Sequence, residues 1–179
     1  MFIMKLFTKF FGLLLVIATI YMIVSYKYEN IPFKNETYKS YVTAGNVDRM
    51  LDCLTTNIYN EAASEPFEGK LAVAQVTLNR VDHPKFPKDV CKVVYEKNIF
   101  MEKVVCQFSW YCMKVPKINK ESDEYQESLV AAKKVLLEGF RLDGLKSAIF
   151  YHADYITKPN WNNVRKITKI GRHIFYEQI

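Results

Sequence analysis

The sequence has few residues of the kinds that mark non-globular or metal-dependent proteins. Among 179 residues there are six glycines and six prolines, with no internal repeat and no low-complexity tract. This composition excludes collagen-like, solenoid and disordered architectures. The three histidines are dispersed, and no two cysteines have the C-x-x-C spacing of a structural zinc site. The sequence therefore does not favour zinc, and it predicts no cofactor.

What remains is the composition of one well-packed domain. Half of the residues are hydrophobic, 15% are aromatic, and the net charge is +6. This is material for a single domain of about 130 residues and a small remainder. The positive charge favours an anionic partner, which is nucleic acid, a lipid surface or an acidic cell-wall polymer. Because the lysines are scattered rather than clustered beside an aromatic sheet motif, we expect no nucleic-acid partner.

Residues 10–26 carry no charge, and they are preceded by Lys5 and Lys9 and followed by Lys27. As a helix they would extend roughly 26 Å, which is the lower limit for a membrane span. A buried core helix is an alternative, but the segment is apolar all round and begins beside positive charge. A cleaved signal peptide is the other alternative, but no small-x-small cleavage site follows. The pattern predicts an uncleaved transmembrane signal anchor.

This anchor gives a simple domain organisation. We expect residues 1–9 in the cytoplasm, residues 10–26 as a single-pass helix in the inner (cytoplasmic) membrane, and residues 27–45 as a linker. Residues 46–179 would then form a folded domain on the periplasmic or extracellular side. The membrane is thus a predicted partner through the N-terminal helix.

Cysteine usage agrees with an exported domain. Cys53, Cys91, Cys106 and Cys112 make an even number, and disulfides form outside the cytoplasm. Four cysteines allow three connectivities. Proximity favours Cys106 with Cys112, which leaves Cys53 with Cys91. Buried reduced thiols and a metal site are the alternatives.

Hydrophobic periodicity predicts three clear helices. The first begins with Asn46 as its cap and runs to about Ser64, before Pro66. The second covers residues 67–81 and packs against the first. Ser122 caps the third, which continues to about Glu138.

The C-terminal part changes from helical to strand-like patterns. Residues 147–151 predict a strand, and residues 166–177 predict two strands joined by a primed hairpin turn at Gly171 and Arg172. Residues 90–96 form a short apolar segment of ambiguous type. The fold class is therefore α+β, mainly helical with a small C-terminal antiparallel sheet.

The first predicted helix has one carboxylate, Glu61, on its apolar side. The first helix has a single apolar stripe, formed by Val47, Leu51, Leu54, Ile58 and Ala62. Glu61 points about 20° from the direction of Leu54, so it faces inward with this stripe. Apolar surroundings raise the pKa of a carboxyl group and let it hold a proton near neutral pH. Glu61 is therefore a candidate general acid, with a structural hydrogen bond as the alternative role.

Several separated motifs, in order, resemble one family. They are the run from Cys53 to Val94, Gln107-Phe108-Ser109-Trp110 with Cys112, Tyr151-His152, Pro159-x-Trp161, and Thr168-x-x-Ile170-Gly171-x-His173-x-Phe175-Tyr176. Together they closely resemble the SleB-type cell wall hydrolases, the spore cortex-lytic group. The resemblance implies a lysozyme-like fold that acts on peptidoglycan glycan strands between N-acetylmuramic acid and N-acetylglucosamine. It also implies a lytic transglycosylase with Glu61 as the catalytic acid.

Such an enzyme does not need the second carboxylate that glycosidases usually have. The muramoyl 6-hydroxyl can attack its own anomeric carbon, and the product is a 1,6-anhydro sugar. Glu65 and Glu68 are the candidate second carboxylates; Glu65 is also interpreted as a surface or capping residue, and Glu68 as a residue of the helix junction or the cleft. A water-using muramidase, an amidase and a non-catalytic peptidoglycan-binding module are the alternative functions. A phage lysis enzyme or a bacterial wall-remodelling enzyme would both suit an anchored domain.

The substrate-binding candidates are polar and aromatic residues of these motifs, since aromatic faces stack on sugar rings. They are Glu68, Ser109, Trp110, Tyr151, His152, Trp161, His173 and Tyr176. Core packing is the alternative role for the aromatic residues, and it is favoured for Phe108. Asn79 and Arg80 are interpreted as an anchor for the second helix.

Overall fold

The computed structural model of the chain describes residues 14–22, 44–100 and 102–179. The chain divides into two compact units, Met1–Pro32 and Phe33–Ile179. The predicted site residues all belong to the second unit.

In the first unit, residues 14–22 form a helix with exposed side chains. Across the described ranges, no helix combines the length and the apolarity that a bilayer crossing requires. The remainder of the predicted anchor over residues 10–26, together with residues 1–9 and 27–43, lies outside the described residues.

The second unit contains four α-helices and five strands in its described part. The helices are α1 (Ala44–Ala62), α2 (Phe67–Asp82), α3 (Val90–Val94) and α4 (Asp123–Leu136). The strands are β1 (Lys97–Phe100), β2 (Lys103–Cys106), β3 (Ala148–Ala153), β4 (Val164–Ile170) and β5 (His173–Gln178). Two 3-10 helices complete the order, Ser109–Cys112 and Asp143–Leu145. The α+β prediction is confirmed.

The first helix begins earlier than its sequence signals suggest. It starts at Ala44, so Asn46 lies inside it and the prediction that Asn46 is the cap is wrong. The first backbone N–H groups of a helix can donate to side chains or to water, so a capping residue type does not by itself define the start. The helix also ends at Ala62, two residues before the predicted end near Ser64.

Local signals at the other helices agree with the structure. Ser122 caps α4, because its side-chain oxygen accepts a hydrogen bond from the Tyr125 N–H. The ambiguous segment after residue 89 is α3, and the Asp89 carboxylate caps it by accepting from the Lys92 N–H at 2.9 Å.

The C-terminal strands form an antiparallel sheet with the order β3-β5-β4. The predicted hairpin is confirmed as β4 and β5, and Gly171 has the positive φ (+56°) that a primed turn needs at its first central position. The hairpin of β1 and β2 was not predicted. Its turn contains Glu102 at φ +63°, a conformation for which sequence rules expect glycine or asparagine.

Helix α2 lies at the centre of the unit. One apolar cluster packs it against α1 and α4, with Leu54, Ile58 and Leu78 fully buried. A second cluster, which includes Val76 and Phe175, packs it against the sheet. Each such side chain contributes about 1.5–3 kcal/mol by its burial. This packing brings the last turn of α2 to the place where the end of α1 meets β3.

The cysteines form two disulfides. Cys53 joins Cys91 and thereby links α1 to α3, while Cys106 joins Cys112 and links β2 to the 3-10 helix. The pairing favoured by proximity is confirmed, and the reduced-thiol and cysteine-metal alternatives do not apply because no cysteine is free.

Candidate active site

A cavity of about 760 Å³ lies between the end of α1, β2, the 3-10 helix Ser109–Cys112 and β3. Ligand sites commonly have this size. Most of the residues predicted for catalysis or substrate binding line it, namely Glu61, Ser109, Trp110, Tyr151, His152, Trp161 and His173. The structure thus brings together side chains that are up to 112 positions apart in the sequence.

Glu61 lies in the last turn of α1, beside the buried residue Ala62. The Tyr151 hydroxyl donates a hydrogen bond of 2.9 Å to its Oε2 atom. Burial raises the pKa of the Glu61 carboxyl group, and the Tyr151 hydrogen bond and the positive charge of Arg80 oppose part of that rise. Because Oε2 accepts from tyrosine, Oε1 is the oxygen left to carry the acidic proton.

Tyr151 keeps its own proton. Burial and the neighbouring Glu61 raise the pKa of its hydroxyl well above 10. The hydroxyl is therefore a permanent donor to Glu61 at any pH at which the protein would work.

Arg80, in the last turn of α2, is a cavity residue that the sequence did not single out for chemistry. Its Nε atom donates to the Ile149 carbonyl oxygen at 2.8 Å. Its neighbour Asn79 donates to the carbonyl oxygens of Leu145 and Ala148, each at 2.8 Å. Both side chains therefore tie α2 to the start of β3, which agrees with the anchoring interpretation.

The remaining atoms of the Arg80 guanidinium are unusual. The Nη1 atom is buried and has no hydrogen-bond partner in the described structure. The guanidinium carbon lies 4.8 Å from the centre of the Phe108 ring and 5.9 Å from that of Tyr151. Burial lowers the pKa of Arg80, but a guanidinium starts from so high a value that it stays charged. No signal in a single sequence distinguishes such an arginine from an ordinary anchor.

His152 and Tyr176 form a pair on the face of the sheet opposite to that of Tyr151. Nδ1 of His152 lies 2.9 Å from the Ala153 carbonyl oxygen, which only accepts, so this nitrogen carries the proton in the neutral ring. Nε2 then accepts from the Tyr176 hydroxyl at 3.0 Å. Tyr176 is buried and is not among the described cavity-lining residues, so the structure does not bring it to the cavity; its hydroxyl contacts His152 instead.

Trp161 belongs to an aromatic cluster beside this pair. Its ring centre lies 5.2 Å from Phe150, 5.7 Å from Tyr176 and 6.0 Å from His152. Trp161, Phe150 and His152 line the cavity, while Tyr176 lies behind them. An aromatic wall therefore continues from the Glu61 side of β3 to its opposite face.

Trp110 and Phe108 are core residues that also form a wall of the cavity. Trp110 donates from Nε1 to Asn57 Oδ1 at 3.0 Å, and the Asn57 amide donates to Thr77. Both aromatic side chains are buried, which agrees with the core role favoured for Phe108. Ser109 lies between them and is exposed at the cavity.

His173 is buried at the inner wall. Its ring centre lies 5.1 Å from that of Tyr151, and its Nδ1 atom has no partner in the described structure. Burial lowers the pKa of His173, so its ring is neutral in a neutral solution.

The two candidate second carboxylates lie away from the cavity. Glu65 is 8% exposed, and its Oε2 accepts from the Arg172 backbone N–H at 2.8 Å, so it is a buried hairpin anchor and not the surface residue expected. Glu68 is exposed and lines a separate hollow with Gly171 and Lys169. The structure does not bring Glu68 to the cavity that Glu61 lines, because Glu68 and Arg80 are at opposite ends of α2, roughly 18 Å apart along its axis.

These corrections leave a simple charge pattern. Glu61 is the only carboxylate, and Arg80 the only lysine or arginine, among the described residues that line the cavity. No group of three or more potential metal ligands occurs within the described ranges.

The chain matches known proteins over most of its length. The family described as Cell Wall Hydrolase matches residues 64–176, a range that includes Arg80 and Tyr151 and begins just after Glu61. The spore cortex-lytic enzyme of Bacillus subtilis (strain 168) is 27% identical over 146 residues, which are 80% of this chain and 43% of that protein. The spore cortex-lytic enzyme of Halalkalibacterium halodurans is 30% identical over 136 residues, 75% of this chain and 36% of that protein. The chain thus spans less than half the length of these two curated relatives.

Two solved structures have a similar fold. The catalytic domain of the Bacillus cereus SleB protein is 25% identical with a TM-score of 0.51, over 75% of this chain and 94% of that one. The catalytic domain of a germination-specific lytic transglycosylase, SleB from Bacillus anthracis, is 26% identical with a TM-score of 0.52, over 75% and 98%.

Proposed function

The chain belongs to the cell wall hydrolase family, and we propose that its domain over residues 46–179 cuts peptidoglycan glycan strands between N-acetylmuramic acid and N-acetylglucosamine, as a lytic transglycosylase. The observation that carries this proposal is the position of Glu61, a half-buried carboxyl group that lines the cavity and accepts a hydrogen bond from Tyr151. The arrangement is lysozyme-like in its use of an acid at the end of a helix facing a sheet.

Glu61 starts the reaction as an acid. Its proton moves to the glycosidic oxygen as the bond from that oxygen to the anomeric carbon breaks, and the sugar becomes oxocarbenium-like. The resulting carboxylate then takes the proton of the muramoyl 6-hydroxyl, whose oxygen bonds to the anomeric carbon. The product is a 1,6-anhydro sugar, and Glu61 is protonated again.

The absence of a second acid supports this route over hydrolysis. A glycosidase that uses water or a covalent intermediate normally has two carboxylates at the scissile bond. Glu61 has no such companion among the described residues that line the cavity. An intramolecular hydroxyl supplies the nucleophile without a second carboxylate.

The rest of the cavity suits a chain of amino sugars. Trp161 is partly exposed and offers a ring face for stacking, the buried His152 forms part of the wall, and the exposed Ser109 offers a hydroxyl to an N-acetyl group. His173 and Trp110 shape the wall near Glu61. These contacts would place the scissile oxygen at Oε1 of Glu61, since Oε2 is held by Tyr151.

The location of the enzyme rests on the N-terminal segment. We place residues 10–26 as a single-pass anchor in the cytoplasmic membrane, because this run has no charge and is flanked by lysines. Two disulfides support an oxidising compartment for the domain. Cell fractionation tests the anchor. If all of the protein were found in the soluble fraction before any proteolysis, the anchor would be contradicted.

Mass spectrometry of the fragments tests the reaction. The full-length protein in detergent is incubated with purified peptidoglycan, and we expect soluble muropeptides that end in anhydro-muramic acid. Fragments with reducing muramic acid ends would indicate a water-using muramidase instead of a transglycosylase, and free peptides would indicate an amidase. Binding without any soluble fragment would indicate a non-catalytic module.

A further inference from the structure

We propose that Arg80 is a positioning residue, whose positive charge stabilises the Glu61 carboxylate that forms when Glu61 gives its proton to the substrate. The inference rests on the proposed function, because it concerns the same acid. It assigns to Arg80 a role beyond the anchoring of β3.

The burial of Arg80 is the first observation. The residue is 4% exposed; in the described structure its Nε atom donates to the Ile149 carbonyl oxygen, and its buried Nη1 atom has no hydrogen-bond partner. Within the described residues no carboxylate lies within 4 Å of its guanidinium, so it forms no ion pair. A buried charge without a partner costs free energy. A neutral donor would satisfy the Ile149 carbonyl equally well, so anchoring does not explain the charge.

The aromatic surroundings are the second observation. The rings of Phe108, Tyr151 and Phe86 lie 4.8, 5.9 and 5.6 Å from the guanidinium carbon. They favour a cation and fix its position, but they provide no acceptor for the buried Nη1 atom. Because few polar groups screen this charge, it acts more strongly on a neighbouring group than a surface charge would.

Glu61 is that neighbouring group. Arg80 and Glu61 line the same cavity, and both contact Tyr151. In the reaction Glu61 begins neutral and becomes negative, so a fixed positive charge stabilises the later state more than the earlier one. Such a difference is what accelerates a chemical step. Burial raises the pKa of Glu61 and would by itself make the proton difficult to release. The charge of Arg80 lowers the same pKa and so opposes the effect of burial.

The other titratable groups around this pair do not supply the same charge. Tyr151 on β3 stays protonated, because its pKa is well above 10. His173 on β5 is neutral, because burial lowers its pKa. Glu96, which follows α3, favours the charged form of Arg80 and is not among the described cavity-lining residues. Arg80 is therefore the one described cation that borders the cavity beside Glu61.

The test compares three variants of the full-length protein in detergent. Arg80→Gln removes the charge and keeps an amide donor, while Arg80→Lys keeps a charge. Asn79→Ala is the matched control, because it removes an adjacent anchor of β3 without changing charge. Two quantities are measured against pH: the 13C NMR shift of the Glu61 carboxyl carbon, assigned with Glu61→Gln, and the rate of peptidoglycan cleavage.

The expected signs follow from the role of Glu61 as an acid. Activity falls as pH rises through the Glu61 pKa, since only the protonated form donates. Arg80→Gln should move this titration and the alkaline limb of the rate profile to higher pH. It should also lower the plateau rate about tenfold to a hundredfold, because the carboxylate is less stabilised. Arg80→Lys should titrate near the wild type, and Asn79→Ala should lower thermal stability without moving the titration.

A folded Arg80→Gln protein whose Glu61 titrates at the wild-type pH would overturn the inference. If Arg80→Gln does not fold, Arg80→Lys decides: a titration at the wild-type pH supports the role of charge, and a shift to higher pH contradicts it. The NMR measurement does not depend on turnover. A protein that fails to cleave peptidoglycan would therefore refute the proposed function while the Glu61 titration still reported on Arg80.

Discussion

The Tyr151 hydroxyl lies 2.9 Å from Oε2 of Glu61 and donates a hydrogen bond to it, although the two residues are 90 positions apart in the sequence. This bond joins the end of α1 to β3. It fixes which carboxylate oxygen is free, and with it the direction in which Glu61 can give a proton.

Removal of this hydroxyl should weaken the acid. In Tyr151→Phe the Glu61 carboxylate loses a donor, so its pKa rises and the alkaline limb of activity moves to higher pH. A hydrogen bond to a charged group contributes about 1.5–3 kcal/mol, which corresponds to a loss of roughly tenfold to a hundredfold in rate. Tyr155→Phe is the control, because Tyr155 lines the same cavity and has no hydrogen bond to Glu61 in the described structure. Identical pH profiles for the two variants would count against this role of Tyr151.

Glu61 should reduce stability at neutral pH. Its pKa in the folded protein is raised above the ordinary value of 4.5, so the folded state binds the proton more tightly than the unfolded state. The stabilisation from this proton is complete below the unfolded pKa and is lost as pH rises through the folded pKa. Glu61→Gln does not titrate, so its free energy of unfolding relative to wild type should increase between about pH 4 and about pH 8. Urea unfolding at both values measures this, and a relative stability that falls over the same interval would refute it.

The two disulfides should have different effects when they are removed. The bond from Cys53 to Cys91 spans 38 positions and that from Cys106 to Cys112 spans 6. Chain entropy then predicts losses of about 4 and about 2 kcal/mol in unfolding free energy. Cys106 lines the cavity. The variant with serine at both Cys106 and Cys112 should therefore lose more activity per folded molecule than the variant with serine at both Cys53 and Cys91. Unfolding curves test which variant loses more stability, and cleavage rates test which loses more activity. A reversal of either order would contradict the prediction.

Gly171 should not tolerate a side chain. It has φ +56°, and an added Cβ would collide with Oε2 of Glu65. Gly171→Ala should therefore destabilise the protein by about 2 kcal/mol or more, through backbone strain and loss of the Glu65 bond to Arg172. Gly144→Ala is the matched control, because a Cβ there meets nothing within 4 Å. Equal thermal unfolding temperatures for the two variants would show that the Glu65 contact is unimportant.

Much of the local structure could be predicted because its signals are local. The apolar stripe of α1 gives the direction of Glu61, the hydroxyl of Ser122 gives the start of α4, and Gly171 gives the turn of the last hairpin. Each depends on residues a few positions apart. The β1–β2 hairpin was missed because Glu102 takes a conformation that its residue type rarely adopts.

The partners of the site residues could not be predicted, because they depend on tertiary packing. The sequence indicates only an anchoring role for Arg80. The structure is needed to show that Arg80 lines the cavity and that its Nη1 atom has no partner among the described residues. Glu65 resembles a surface carboxylate, yet it binds a backbone N–H 107 positions away. Tyr176 alternates with its neighbours along β5, but which face of the sheet meets the cavity is set by how α2 packs on it.

The most direct test of the account is the cleavage of purified peptidoglycan by Glu61→Gln. Glutamine has nearly the shape of glutamate but no acidic proton, so we predict a loss of rate of roughly a hundredfold or more with an unchanged circular dichroism spectrum. Glu68→Gln is the control, since that carboxylate is exposed and outside the cavity, and it should clear the substrate at about the wild-type rate. Clearing by Glu61→Gln at the wild-type rate would contradict the central claim that Glu61 is the proton donor.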